Sequence, residues 1–176
     1  MVAGRTPLIA AAVVAFLAAT GLLTALIQPS DGEVEVTLDA NLGSSSGHAL
    51  FSGLGPVSIQ VSRSSVGFGS VNPGERSAVV EVQVSNVGVL PVEIRVEVGD
   101  LVSSATGASI PAERVKVSTR APAADGSAPA LGSLAIQPGA STTLRLWLDT
   151  PRGTAQYIPA GDYSGPITIV AKGVDA

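Results

Sequence analysis

Residues 33–42 alternate apolar and polar side chains without a break, with Val34, Val36, Leu38, Ala40 and Leu42 set against Glu33, Glu35, Thr37, Asp39 and Asn41. A period of two places successive side chains on opposite faces of an extended chain, so the stretch reads as a half-buried strand. The rhythm returns in residues 57–62. It returns again in residues 92–98, where Val92, Ile94, Val96 and Val98 alternate with Glu93, Arg95 and Glu97. In residues 143–149 Leu144, Leu146 and Leu148 oppose Thr143, Arg145, Trp147 and Asp149. Residues 78–84, 115–117 and 163–172 add further extended segments. The strands at 78–84 and 92–98, joined through Asn86-Val87-Gly88, are expected to be antiparallel neighbours.

Turn chemistry separates these runs. Asn72-Pro73-Gly74-Glu75 and Gln137-Pro138-Gly139-Ala140 both carry proline second and glycine third, the order of a type II turn, whose third residue needs positive φ. The spacing of these two turns exceeds the usual repeat periods, so they are expected to be similar turns at one end of one domain. Residues 121–130, rich in Ala, Pro, Gly and Ser, read as a surface loop. About eight short strands between Gly/Pro turns predict an all-β, two-sheet sandwich of jelly-roll or immunoglobulin-like connectivity. Composition agrees: 45% of the 176 residues are hydrophobic but only 3% aromatic. The core must therefore be built from Val, Leu, Ile and Ala, and β-branched side chains suit a pleated sheet.

The N-terminal segment is of another kind. Residues 8–27 are an uncharged apolar run preceded by Arg5 and followed by Gln28-Pro29-Ser30-Asp31-Gly32. The run exceeds the usual ~7–15 residues of a signal-peptide core and reaches the ~20 that span a bilayer. Residues 1–29 are expected to form a hydrophobic helix that serves either as a cleaved export signal or as a retained anchor. Small residues at Ala19-Thr20-Gly21 offer a cleavage site, and cleavage is the expectation. In both cases the rest of the chain is expected outside the cell, because positive charge stays inside while the acidic remainder crosses. Residues 43–56 begin with Gly43-Ser44-Ser45-Ser46-Gly47-His48, the composition of a flexible tether. This divides the exported part into an N-terminal strand (30–42), a tether (43–56) and a sandwich domain (57–176).

Several functions are disfavoured. Beyond residue 30, nine basic residues stand against fourteen acidic ones, leaving about −5 with no Lys/Arg cluster. Phosphate backbones are held by concentrated positive charge, so nucleic acid is not an expected partner. The chain has no cysteine, which removes disulfides and thiolate metal sites. Asn41, Asn72 and Asn86 lie outside any Asn-x-Ser/Thr sequon. The single histidine, His48, sits in the tether, without a second imidazole for zinc and on a poor mount for a Ser-His-Asp triad. Asp31, Glu33, Glu35 and Asp39 could attract Ca²⁺, but strand spacing spreads Glu33, Glu35 and Asp39 along one face, where they read as solvated. Trp147, Tyr157 and Tyr163 are too scattered for a sugar site and read as core or rim. No catalytic residue, metal or cofactor is expected, and the chain is expected not to be an enzyme.

One combination of features resembles a known group. An export segment and a separable first strand precede Phe68-Gly69-Ser70-Val71-Asn72-Pro73-Gly74-Glu75-Arg76. Then follow Val80-Glu81-Val82-Gln83-Val84-Ser85-Asn86-Val87-Gly88, Pro91-Val92-Glu93-Ile94 and a closing Gly161-Asp162-Tyr163-Ser164-Gly165. Over most of residues 33–172 this is similar to the TasA/camelysin-like and archaeal bundling-pilin proteins, secreted β-sandwich subunits of biofilm fibres. The resemblance implies head-to-tail assembly by donor-strand complementation into a homopolymeric pilus or matrix fibre. The buried row Val34, Val36, Leu38, Ala40 and Leu42 would be the subunit interface. Peptidase activity, which camelysins have been assigned, does not carry over, since no zinc motif is present. The alternative is a membrane-anchored immunoglobulin-like surface module that binds cell-surface proteins or glycans through its loops.

Overall fold

The computed structural model describes residues 33–43, 49–53, 56–72, 74–123, 127, 131–150 and 161–174. The hydrophobic N-terminal helix expected at 1–29, His48 with the Gly/Ser part of the tether, and Tyr157 lie outside the described residues. Among the described residues no helix is long and apolar enough to cross a membrane.

The described chain is almost entirely β. Its strands are β1 (Glu33–Asn41), β2 (Leu50–Ser52), β3 (Ile59–Val61), β4 (Ser65–Gly67), β5 (Val80–Asn86), β6 (Val92–Val98), β7 (Leu101–Ser103), β8 (Ser109–Ile110), β9 (Val115–Ser118), β10 (Leu134–Ile136), β11 (Ser141–Leu148) and β12 (Tyr163–Gly173). One 3₁₀ turn, Ala112–Arg114, leads into β9. The strands form two sheets. The first has the order β10-β6-β12-β1-β4, with β7 joined to β12 and β8 joined to β7; the second has the order β2-β3-β5-β11-β9.

Alternation within each strand turns one row of side chains into a single shared core. Val36, Leu38, Ala40, Ile94, Ile167 and Ile169 come from the first sheet, and Ile59, Val61, Val82, Val84, Leu144 and Leu146 from the second. Burying a Val, Leu or Ile side chain stabilises by about 1.5–3 kcal/mol, which is how a core nearly free of aromatics holds two sheets together. Three of the large rings, Phe68, Tyr163 and Trp147, are buried as well, while Phe51 is exposed. Trp147 lies on the face of β11 opposite Leu146 and Leu148, and its indole N–H has no hydrogen-bond partner among the described residues.

Two expectations about connectivity are corrected. First, β5 and β6 are not neighbours; they belong to different sheets, and residues 87–91 carry the chain from one to the other. Asn86 makes this crossing possible. Its side-chain amide is buried and donates to the carbonyls of Leu90 at 2.8 Å and Ile136 at 3.0 Å, while its Oδ1 accepts from the Gly88 N–H at 3.0 Å. One polar side chain thus satisfies the turn and ties β5 to β10 of the facing sheet, and a buried polar group is tolerated when it is paired in this way.

Second, the two Pro-Gly turns lie at opposite ends. Gly74 and Gly139 both have positive φ, 84° and 75°. The turns close through Glu75 N–H to Asn72 C=O and Ala140 N–H to Gln137 C=O, each at 3.0 Å, so the local chemistry is as expected. The first precedes the Arg76–Asp149 bridge beyond the end of β11, whereas the second joins the end of β10 to the start of β11. The region read as tether also contains β2, which pairs with β3.

Candidate subunit interface

The candidate site is β1 and the seat it occupies. Strict alternation fixes its faces. Val36, Leu38 and Ala40 are buried, and Val34 and Leu42 are partly buried against the same core. All five residues of the predicted apolar row therefore face inward, with Leu42 just past the strand's end. The polar row faces out: Glu35, Thr37 and Asp39 are exposed.

β1 is antiparallel to β12 through nine positions, from Glu33 opposite Lys172 to Asn41 opposite Ser164. The apolar row meets Ala171, Ile169, Ile167 and Gly165 in turn, so large side chains face large ones at the middle and Ala40 faces Gly165. On the outer face the hydroxyls of Thr37 and Thr168 lie 3.3 Å apart. Such cross-strand pairs set register, because a slip of one residue would turn Leu38 to solvent and Asp39 to the core.

The other edge of β1 is used unevenly. β4 pairs in parallel with Asp39, Ala40 and Asn41, helped by Asp39 N–H to Ser64 C=O at 3.0 Å and Phe68 N–H to Asn41 C=O at 2.8 Å. Nearer the start of β1 the contact is lighter. The Ser52 hydroxyl at the end of β2 donates to the Glu35 carbonyl at 3.0 Å. Beyond Asn41, Leu42 N–H donates to the Tyr163 carbonyl at 3.2 Å, and Gly43 accepts from Gly69 N–H at 3.2 Å.

β1 is thus a nine-residue strand with its apolar row in the core, held mainly by β12 and β4. It is joined to β2 through the Gly/Ser-rich stretch. Taken out, it would leave a slot with an open β12 edge on one side, the β4 edge on the other and an apolar floor.

The other candidate chemistry does not converge. Glu33, Glu35 and Asp39 are spread along β1, where Glu33 stands opposite Lys172, itself opposite Glu93 of β6. Among the described residues no group of three His, Asp or Glu side chains is placed to hold a metal ion. Sequence reading missed the Ser52 and Ser64 contacts to β1. Ser52 ends the short β2 and Ser64 lies in the polar turn after β3, and only the fold brings them to the strand. Comparisons with protein-family models, with curated proteins and with solved structures found no match.

Proposed function

We propose that the chain is an exported structural subunit of the cell surface that joins copies of itself head to tail, each β1 filling the slot between β12 and β4 of a neighbour. The observation that carries this reading is the seat itself: one separable strand supplies a complete row of the core. Strand addition of this kind draws affinity from main-chain hydrogen bonds and register from alternate side chains. A slot filled by the next subunit removes the exposed edges that β12 and β4 would otherwise present. Head-to-tail contacts are heterologous, and with a rotation that does not close into a ring the product is a filament. The apolar run at residues 8–27 supplies export, and no enzymatic step or cofactor belongs to this role. The topology is read as a variant of the jelly-roll and immunoglobulin-like sandwiches.

One observation favours a second reading. β1 seats in its own chain without a break in register, as it would in a self-complete, membrane-anchored surface module that binds proteins or glycans through its loops. Electron microscopy of the exported protein at high concentration separates the two. The filament reading expects unbranched fibres that disappear in a Leu38→Asp variant. A protein that stays monomeric and forms no fibres would support the surface module.

A further inference from the structure

The two ends of the sandwich differ in charge. One end is formed by the starts of β1, β3, β6 and β11 and the ends of β2, β5, β10 and β12. The described residues of its connecting segments, 53, 56–58, 87–91 and 137–140, include no charged side chain. They are bound to one another, since Val89 N–H and Leu90 N–H both donate to the Pro56 carbonyl, and Val174 N–H donates to Pro91 C=O. Val89 is 74% exposed, and Val87 and Val174 are also exposed. The opposite end carries Arg63, Glu75, Arg76, Asp100, Arg114 and Asp149. Val79 and Val102 are exposed at the charged end too, so what sets this end apart is the highly exposed Val89, with Val87 and Val174, among loops from which charge is excluded, the character of a contact surface.

The position of the chain says what it contacts. β1 begins at this end, with Glu33 opposite Lys172. Only Gln28-Pro29-Ser30-Asp31-Gly32 separates Glu33 from the apolar run at residues 8–27. Five residues reach at most about 18 Å when fully extended. A membrane-inserted run therefore holds this end, and not the charged one, against the bilayer.

We propose that the uncharged end is a membrane-docking surface, with Val87, Val89 and Val174 entering the lipid interface while residues 8–27 are in the bilayer. This rests on the reading of that run as membrane-inserted. It holds for whichever subunit receives β1, because the strand starts at the same end of the slot in either case. The nearest charges, Glu33, Glu93 and Lys172, lie on the outer face of the first sheet, and Asp31 and Asp175 flank the fold in sequence. The excess is acidic, so the matching surface is a zwitterionic lipid surface rather than an anionic one. Apolar side chains at a neutral interface gain from burial without a compensating charge attraction.

The test uses the full chain in phosphatidylcholine vesicles. Because the protein has no cysteine, Val89→Cys and Glu75→Cys variants each accept one polarity-sensitive fluorophore at an exposed site. The proposal expects the Val89 probe to shift to the blue and to be quenched severalfold more strongly by headgroup-labelled lipid than the Glu75 probe, and a Val89→Cys/Val87→Asp variant to lose this difference. A chain that floats with vesicles while its Val89 probe stays water-exposed overturns the docking surface alone. A Val89 probe equally protected without lipid overturns it in favour of contact with a second copy. A chain that fails to float removes the inserted-run reading and this proposal with it.

Discussion

β1 and β2 lie on either side of the same Gly/Ser-rich stretch, yet the fold treats them in opposite ways. β1 pairs over nine positions with β12 and buries Val36, Leu38 and Ala40. β2 pairs over three positions with β3 at an edge of the other sheet, and its central Phe51 is 66% exposed. The largest side chain of β2 thus faces water while the modest aliphatics of β1 complete the core. A hydrophobic residue type alone does not decide burial; the register that brings it to the inner face does.

This contrast can be broken or sharpened by substitution, read as shifts in urea midpoint at constant slope and at fixed protein concentration, since self-association would itself change apparent stability. Leu38→Ala is expected to have the largest effect, a loss of about 2–5 kcal/mol, because it leaves a cavity in a fully buried position. Ala40→Leu comes next, at about 1–3 kcal/mol, because Ala40 is fully buried between Val66 of β4 and Gly165 of β12, and added methylenes in a packed core force neighbours to shift. Ser52→Ala removes the hydrogen bond from β2 to the Glu35 carbonyl and is expected to cost about 1 kcal/mol. Phe51→Ser should fall within about 0.5 kcal/mol. An effect of Phe51→Ser as large as that of Leu38→Ala would reverse the contrast and make β2 the buried element.

How far the fold was legible follows from strand length. Alternation marks the long strands β1, β6 and β11, whereas β5 and β12 stand out in the sequence as apolar extended runs between turn residues. β2, β7, β8 and β10 span two or three residues, too few for any period to show, and β2 was absorbed into the tether by its Gly/Ser surroundings. The partner of a strand was harder to read than its existence. Residues 87–91 are short enough to suggest a hairpin, but the buried Asn86 amide bridges to Ile136 and turns the chain to the facing sheet, a contact between residues fifty apart that local pattern does not contain. At the candidate interface the inward row of β1 was legible in full, because alternation alone sets it. Its neighbours β12 and β4 were not, since pairing is decided by long-range register. Trp147 alternates with the inward leucines of β11, yet it is fully buried, in keeping with its reading as core or rim.

The account turns on whose slot β1 fills, and the Thr37–Thr168 pair gives direct access to it. These hydroxyls are 3.3 Å apart across the β1–β12 ladder, and the chain has no cysteine of its own. A Thr37→Cys/Thr168→Cys variant, assembled, oxidised and run on a non-reducing denaturing gel, is expected to give a ladder of covalent multimers that collapses on reduction. A single band at monomer mass with both thiols consumed would place β1 in its own chain and contradict assembly through the first strand.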